Sequence, residues 1–180
     1  MTAKRLSKRA VILIICAAVL CAVLLILFVL WPFADNSPQQ LEQYITRVLT
    51  VPDAGVQDAL SLEDVNQEAR DTAFRQAMEA LAGDEATESM VESLVRLSGI
   101  SALHFVAVQK GFTITPVETT VTLNSATSMI YDFVTIATVV CDNTESFSVT
   151  LTGRIQLNED GKIRYMDADY SDIFLIIGTS

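Results

Sequence analysis

The sequence predicts an α+β domain carried behind one transmembrane helix, and three observations predict it. An uncharged run of 25 residues, Ala10–Ala34, holds 24 apolar residues. Apolar residues then recur at helical spacing from Leu41 to Leu97. From Ile100 the apolar period changes from 3.6 to 2, the period of strands. Helices followed by a run of antiparallel strands pack on one face of a sheet. The expectation is about three helices on a curved antiparallel sheet of four to six strands.

A helix that crosses the hydrocarbon core needs about 20 apolar residues, and residues 10–33 supply them. Trp31 sits where an interfacial aromatic belongs. Lys4, Arg5, Lys8 and Arg9 precede the run, so residues 1–9 are expected in the cytoplasm and the rest beyond the plasma (inner) membrane. A cleaved signal peptide is the rival reading. Its apolar region is ~7–15 residues long and ends in small residues, whereas this run is longer and ends Leu30-Trp31-Pro32-Phe33-Ala34. Cys16 and Cys21 follow Ile15 and Leu20, which are not the small residues that precede a lipidated cysteine.

A chain of 180 residues has room for one ordinary domain beyond the anchor. From residue 35 onward the sequence is roughly 45% apolar, an ordinary globular value that excludes disorder, collagen and a disulfide-dense mini-protein. No second run matches the first in length, which argues against a multi-span transporter. The net charge of −10 is split: from Asp35 there are 8 basic and 22 acidic residues, a net −14. Phosphate backbones would repel such a domain, so nucleic acid is excluded as a partner, and a cationic partner, or none, fits better. Cys141 is the one cysteine outside the apolar run, so the exported domain has no internal disulfide. It reads as a small buried apolar residue. No Asn-x-Ser/Thr sequon occurs. Together these features lean towards a bacterial envelope protein.

The folded domain is expected over 37–177. Ser37 and Pro38 open a helix with Gln40 completing a capping box, and Leu41, Tyr44, Ile45, Val48 and Leu49 form its apolar stripe. Val51-Pro52 interrupts it, and Ala54–Leu60 forms a short helical piece. Ser61 is expected to cap the next helix, with Glu63 and Asp64 in its first turn and Gly83 as its stop. Another helix runs from about Asp84 or Thr87 to Ser98 and ends at Gly99. Ile100–Gln109, rich in β-branched and aromatic residues, is expected to be a strand, with Lys110-Gly111 as a tight turn. Phe112–Asn124 follows as a strand whose alternation slips at Pro116-Val117, predicting a bulge or an edge. Ser128–Cys141 is the most apolar strand and is expected to be covered on both faces. Ser146–Leu157 alternates cleanly, Asn158–Gly161 is a hairpin turn, and Lys162–Tyr170 completes the pair. Phe174–Ile177 adds a last short strand or docks on the sheet.

The ending LNEDGKIRYMDADY, Leu157–Tyr170, is similar to the last hairpin of the nuclear transport factor 2-like (cystatin-like cone) superfamily. There a turn with Asp-Gly leads into a strand of alternating basic and apolar residues. With the helices-first order, the resemblance covers roughly Ser37–Tyr170. It implies a cone-shaped domain with a central cavity. The layout of an anchor and an exported domain resembles inner-membrane assembly factors of type IV secretion and conjugation systems. The resemblance therefore implies a binding or assembly role with a protein partner, no catalysis and no cofactor. The alternative it implies is a small-molecule binder or an isomerase- or dehydratase-like enzyme using the cavity.

Two residues are candidates for that alternative. Asp132 lies within the most apolar strand: facing inward, its carboxyl would have a raised pKa and could act as acid or base, whereas facing outward, the favoured reading, it is a polar residue on a half-covered strand. His104, the single histidine, is read as a core or rim residue before a general base, and a lone histidine excludes zinc sites of the usual kind. Asp167, Asp169 and Asp172, with Ser171, read first as solvated edge-strand carboxylates that blunt edge pairing, and only second as candidates for calcium. Counted from Asp167, however, an EF-hand's sixth and twelfth positions hold Asp172 and Gly178 where glycine and glutamate are needed. No glycine-rich phosphate loop and no G-x-S-x-G elbow is present.

Overall fold

The computed structural model describes residues 38–62, 66–96, 99–125, 127–141 and 145–178. The apolar run at 10–33, the Ser37 cap, the first-turn acids Glu63 and Asp64 and the loop at 142–144 lie outside the described residues. Five helices come first: α1 (Pro38–Val48), α2 (Ala54–Leu60), α3 (Gln67–Ala82), α4 (Glu88–Val95) and α5 (Ile100–Lys110). Four strands follow, β1 (Phe112–Ser125), β2 (Ile130–Cys141), β3 (Glu145–Leu157) and β4 (Ile163–Ala168), and then α6 (Ser171–Gly178). The strands form one antiparallel sheet in sequence order, β1-β2-β3-β4. The class is α+β as expected, with more helices than the sequence reading allowed.

The largest correction is α5. Ile100–Gln109 is helix, and Lys110-Gly111 is its C-terminus, with Gly111 left-handed (φ 74°, ψ 23°) and its N–H bonded to the Ala107 carbonyl. Ile100, Leu103, His104 and Ala107 recur at i, i+3, i+4 and i+7 and are all buried. The β-branched and aromatic content suggested a strand, but the buried set has helical spacing. Tertiary packing decided between the two.

Ser61 does not cap the third helix. Its backbone (φ −82°, ψ 0°) belongs to the end of α2, where its N–H meets the Gln57 and Asp58 carbonyls and its hydroxyl donates to Gln57 O at 2.8 Å. An N-cap needs an extended backbone, and Asn66 has one (φ −64°, ψ 158°); its side chain accepts the Ala69 N–H at 2.8 Å. Phe174–Ile177 belongs to helix α6, not to a strand. The expected covering of both faces of β2 is also wrong. Phe133, Thr135, Ala137 and Val139 are buried, but Val134 and Ile136 on the opposite face are 45% and 40% exposed.

The bulge at Pro116-Val117 is present: the β1–β2 register shifts between Pro116 and Glu118. The extra residue, Val117, is 69% exposed. Clean alternation on β3 is also observed, with Val149, Leu151, Ile155 and Leu157 facing the core. These side chains meet Leu41, Tyr44, Ile45 and Val48 of α1, Phe74, Met78 and Leu81 of α3 and Leu103 of α5 in one apolar cluster. Each large side chain so buried contributes about 1.5–3 kcal/mol of transfer free energy.

Loops between helices reach two points on the sheet edges. In the α1–α2 connection Val51 pairs with Ile114 of β1, exchanging hydrogen bonds of 2.9 and 2.7 Å; the Val51–Pro52 peptide is cis. In the α3–α4 connection the Thr87 N–H donates to Ile163 O and the Ile163 N–H to Glu85 O, both at 2.8 Å. The hydroxyl of Thr87 reinforces this at 3.2 Å.

Among the described residues, one stretch is long and apolar enough to cross a membrane by length and composition, Glu88–Lys110. It comprises α4 and α5, and Met90, Leu94, Ile100, Leu103 and Ala107 from it lie in the domain core. Gly99 separates the two helices at φ 58°, ψ −116°, a conformation that side chains with a Cβ strongly disfavour. An added Cβ there meets nothing within 4 Å. Gly99→Ala is therefore expected to destabilise the domain by about 1–2 kcal/mol through backbone strain alone. Denaturant unfolding of the variant checks this, and an unchanged midpoint would show that the turn relaxes without penalty.

Candidate functional site

The candidate residues divide between the interior and the solvent face of the sheet. His104 is fully buried on α5. Its Nδ1 accepts the Asp53 N–H at 3.0 Å, so Nδ1 carries no proton. Its Nε2–H then donates to the Val48 carbonyl at 3.1 Å. Both ring nitrogens are thus used, and one neutral tautomer is fixed. Burial lowers the pKa, opposed by the Val48 hydrogen bond and the Asp53 carboxylate. The ring joins the end of α1 to the start of α2, where the Asp53 side chain accepts the Gly55 and Val56 N–H groups as N-cap.

Asp132 lies on the opposite, solvent face of β2. It accepts from the Asn124 side chain and, at 3.1 Å, from Arg154 Nε on β3, directly across the ladder. The Asn124 hydrogen bond, and after it Arg154, lower its pKa from the ordinary carboxylate value. The shift is opposite to the one an inward acid or base would show. His104 and Asp132 line no common cavity among the described residues. The groove of about 500 Å³ beside Asp132 is open to solvent and of mixed lining, bordered by Val134, Arg154, Tyr165, Asp167 and Asp169. Asp132→Asn is expected to leave the unfolding midpoint indistinguishable from the parent, because an exposed pair contributes little. A large loss of stability would show that the pair supports the sheet.

The three aspartates suggested for calcium play separate roles. Asp167 sits opposite Arg154 in the β3–β4 ladder. Asp169 Oδ1 accepts from the Ser171 N–H at 2.9 Å and its hydroxyl at 2.5 Å, which opens α6 and lowers the Asp169 pKa. Asp172 is in the first turn of that helix. Among the described residues no group of three acidic, histidine or cysteine side chains is placed to hold a metal ion.

A further arrangement went unread in the sequence. Thr46 of α1, Thr119 of β1 and Thr135 of β2 form a chain of hydroxyls with 3.1 Å steps. Thr135 is fully buried and finds its partner there. The chain fixes α1 against β1 and leaves an open groove of about 680 Å³ lined by Gln39, Glu42, Gln43, Thr46, Arg47 and Thr119. Arg47 is held by Glu85 at 3.2 Å and lies over the Tyr44 ring at 5.2 Å. The threonine-rich alternation of β1, without lysine or arginine, was the available signal.

Comparison with family models, curated proteins and solved structures returns no match to this chain.

Proposed function

We propose that this chain is a single-pass membrane-anchored protein whose acidic domain, outside the cytoplasm, binds another protein and catalyses no reaction. The assembly we propose it serves is a bacterial envelope system of the secretion or conjugation kind. One observation carries the binding reading over the enzymatic one. The two residues best suited to acid–base work are apart and occupied, His104 by two backbone groups inside the core and Asp132 by Asn124 and Arg154 outside it. The helices-first order and the hairpin at Leu157–Ile163 support a relation to the nuclear transport factor 2-like domains. The apolar inner face, with Phe133, Leu151 and Ile155 closed off from solvent, speaks against the cavity that enzymes of that superfamily use.

The experiment is protease accessibility of the full chain in sealed bacterial membrane vesicles. The domain is expected to resist protease in inside-out vesicles, to be digested in right-side-out ones, and to stay with the membrane in alkaline carbonate. A freely soluble product lacking the first ~34 residues, the length of the apolar leader, would overturn the proposal. So would a domain exposed on the cytoplasmic side.

A further inference from the structure

β1 is an edge strand whose outer side is only partly covered. Val51 exchanges two backbone hydrogen bonds with Ile114, so the peptide groups of Ile114 point away from β2. In an antiparallel ladder this orientation alternates along the strand. The bulge at Val117 resets the alternation, because Glu118 and not Val117 is the next residue opposite β2, at Ile136. From there Thr119, Val121 and Leu123 carry outward-pointing N–H and C=O groups, and Glu118, Thr120 and Thr122 bond to β2. Among the described residues no backbone partner meets those three.

Edges of this kind are usually protected by charged side chains, proline, a bulge, brevity or a covering element; β1 has the bulge and Glu118 at the start of its open part, and neither a charge nor a proline within Thr119–Leu123. Here β1 runs for 14 residues, contains no basic residue, and has its proline before the open part. Carboxylates flank one end of that part: Glu118 on the solvent face, and Glu42 in the groove beside Thr119. At the other end Leu123 is 51% exposed and Val121 is half-buried. The nearest cation in the groove, Arg47, is paired with Glu85.

We propose that the open edge of β1 at Thr119, Val121 and Leu123 takes an extended segment of a basic protein as an added antiparallel strand. This rests on the binding role proposed above and names the surface and the partner's chemistry. The backbone ladder supplies affinity, and alternate side chains supply selectivity. The segment places apolar side chains beside Val121 and Leu123 and basic ones beside Glu118 and Glu42. The domain's net charge of −14 from residue 35 onward steers such a segment and repels a second copy.

The test uses the full chain in neutral detergent micelles and a blocked peptide of alternating valine and lysine, about eight residues long to match a typical strand. Backbone hydrogen exchange is followed at Thr119, Val121 and Leu123. These amides are expected to exchange fast in the free chain and to become protected on adding the peptide, while a valine–glutamate peptide leaves them unchanged. Leu123→Lys, an exposed position, is expected to weaken peptide binding about tenfold, and Glu118→Lys about fivefold. Val121→Pro removes one edge N–H and is expected to abolish protection, and Leu123→Lys carries the test if the proline variant fails to fold. Slow exchange in the free chain overturns the proposal: if it depends on concentration the edge is taken by a second copy, and if not, by another part of this chain. Fast exchange that neither peptide changes, or equal protection by both, also overturns it. Each failure is separate from that of the topology experiment, which reads only the side of the membrane on which the domain lies.

Discussion

Replacing His104 with leucine is expected to lower the stability of the domain by about 3 kcal/mol. Leucine keeps most of the volume, so the loss comes from the two backbone groups that the ring satisfies. The Asp53 N–H and the Val48 carbonyl are left in the space of a fully buried side chain with no partner and little access to water. Each such orphan costs about 1–3 kcal/mol. For a domain of this size the midpoint of thermal unfolding should fall by about 10 °C. The ring also makes the parent pH-dependent. Its pKa in the unfolded chain is near 6.5 and burial lowers it in the folded one. The unfolded chain therefore takes up a proton that the folded chain resists. Stability from this group is complete above about pH 7 and falls by about 1.4 kcal/mol per unit below pH 6.5, until the folded value is reached. Burial is the main cause, and the geometry adds to it: a protonated Nδ1 is a donor facing the Asp53 N–H donor. His104→Leu should lack this slope between pH 7 and pH 5. Equal slopes in parent and variant, or an unchanged midpoint at pH 7.5, would refute the assignment.

The second large effect lies at Gly153. It faces the core side of β3, opposite Phe133 on β2 and Ala168 on β4. The Phe133 ring lies over it, and a Cβ built there falls well inside van der Waals contact with that ring and with the Asp167 carbonyl oxygen. The ring is almost fully buried, and the oxygen belongs to the neighbouring strand, so neither can give way cheaply. Gly153→Ala is expected to destabilise the domain by about 3 kcal/mol, the upper range for overpacking. The mechanism predicts coupling: in a Phe133→Leu background the same change should cost less by about 1 kcal/mol or more. A double-mutant cycle by denaturant unfolding measures this. Additive values would show that the strain falls on the β4 backbone and not on the ring.

The strands from Phe112 onward were legible because one buried face imposes a period of two, most clearly in Val149, Leu151, Ile155 and Leu157. The bulge was legible because Pro116-Val117 breaks that period. The segment at 100–110 was misread because Phe105, Val106 and Val108, all half-buried, fill the gaps between the residues that set the helical period. The start of α3 was misread for a different reason. Ser61 and Asn66 both have a capping side chain, and backbone angles that no composition reveals decide between them. His104 was readable as a core residue. Its two partners were not, because Val48 and Asp53 lie more than fifty positions away. The face of Asp132 was undecidable while Ile130, Val134 and Ile136 made both sides of β2 apolar.

The two margins of the sheet are unequal. The β4 side has six residues, the first of which is locked between Glu85 and Thr87; the β1 side is paired at Ile114 before the bulge and open at Thr119, Val121 and Leu123 after it. The two margins therefore differ in which end is held: the α3–α4 connection holds the start of β4, and the α1–α2 connection holds the start of β1. A strand added past the bulge on β1 would lie next to the α1 groove, at the end of the edge that the α1–α2 connection leaves uncovered.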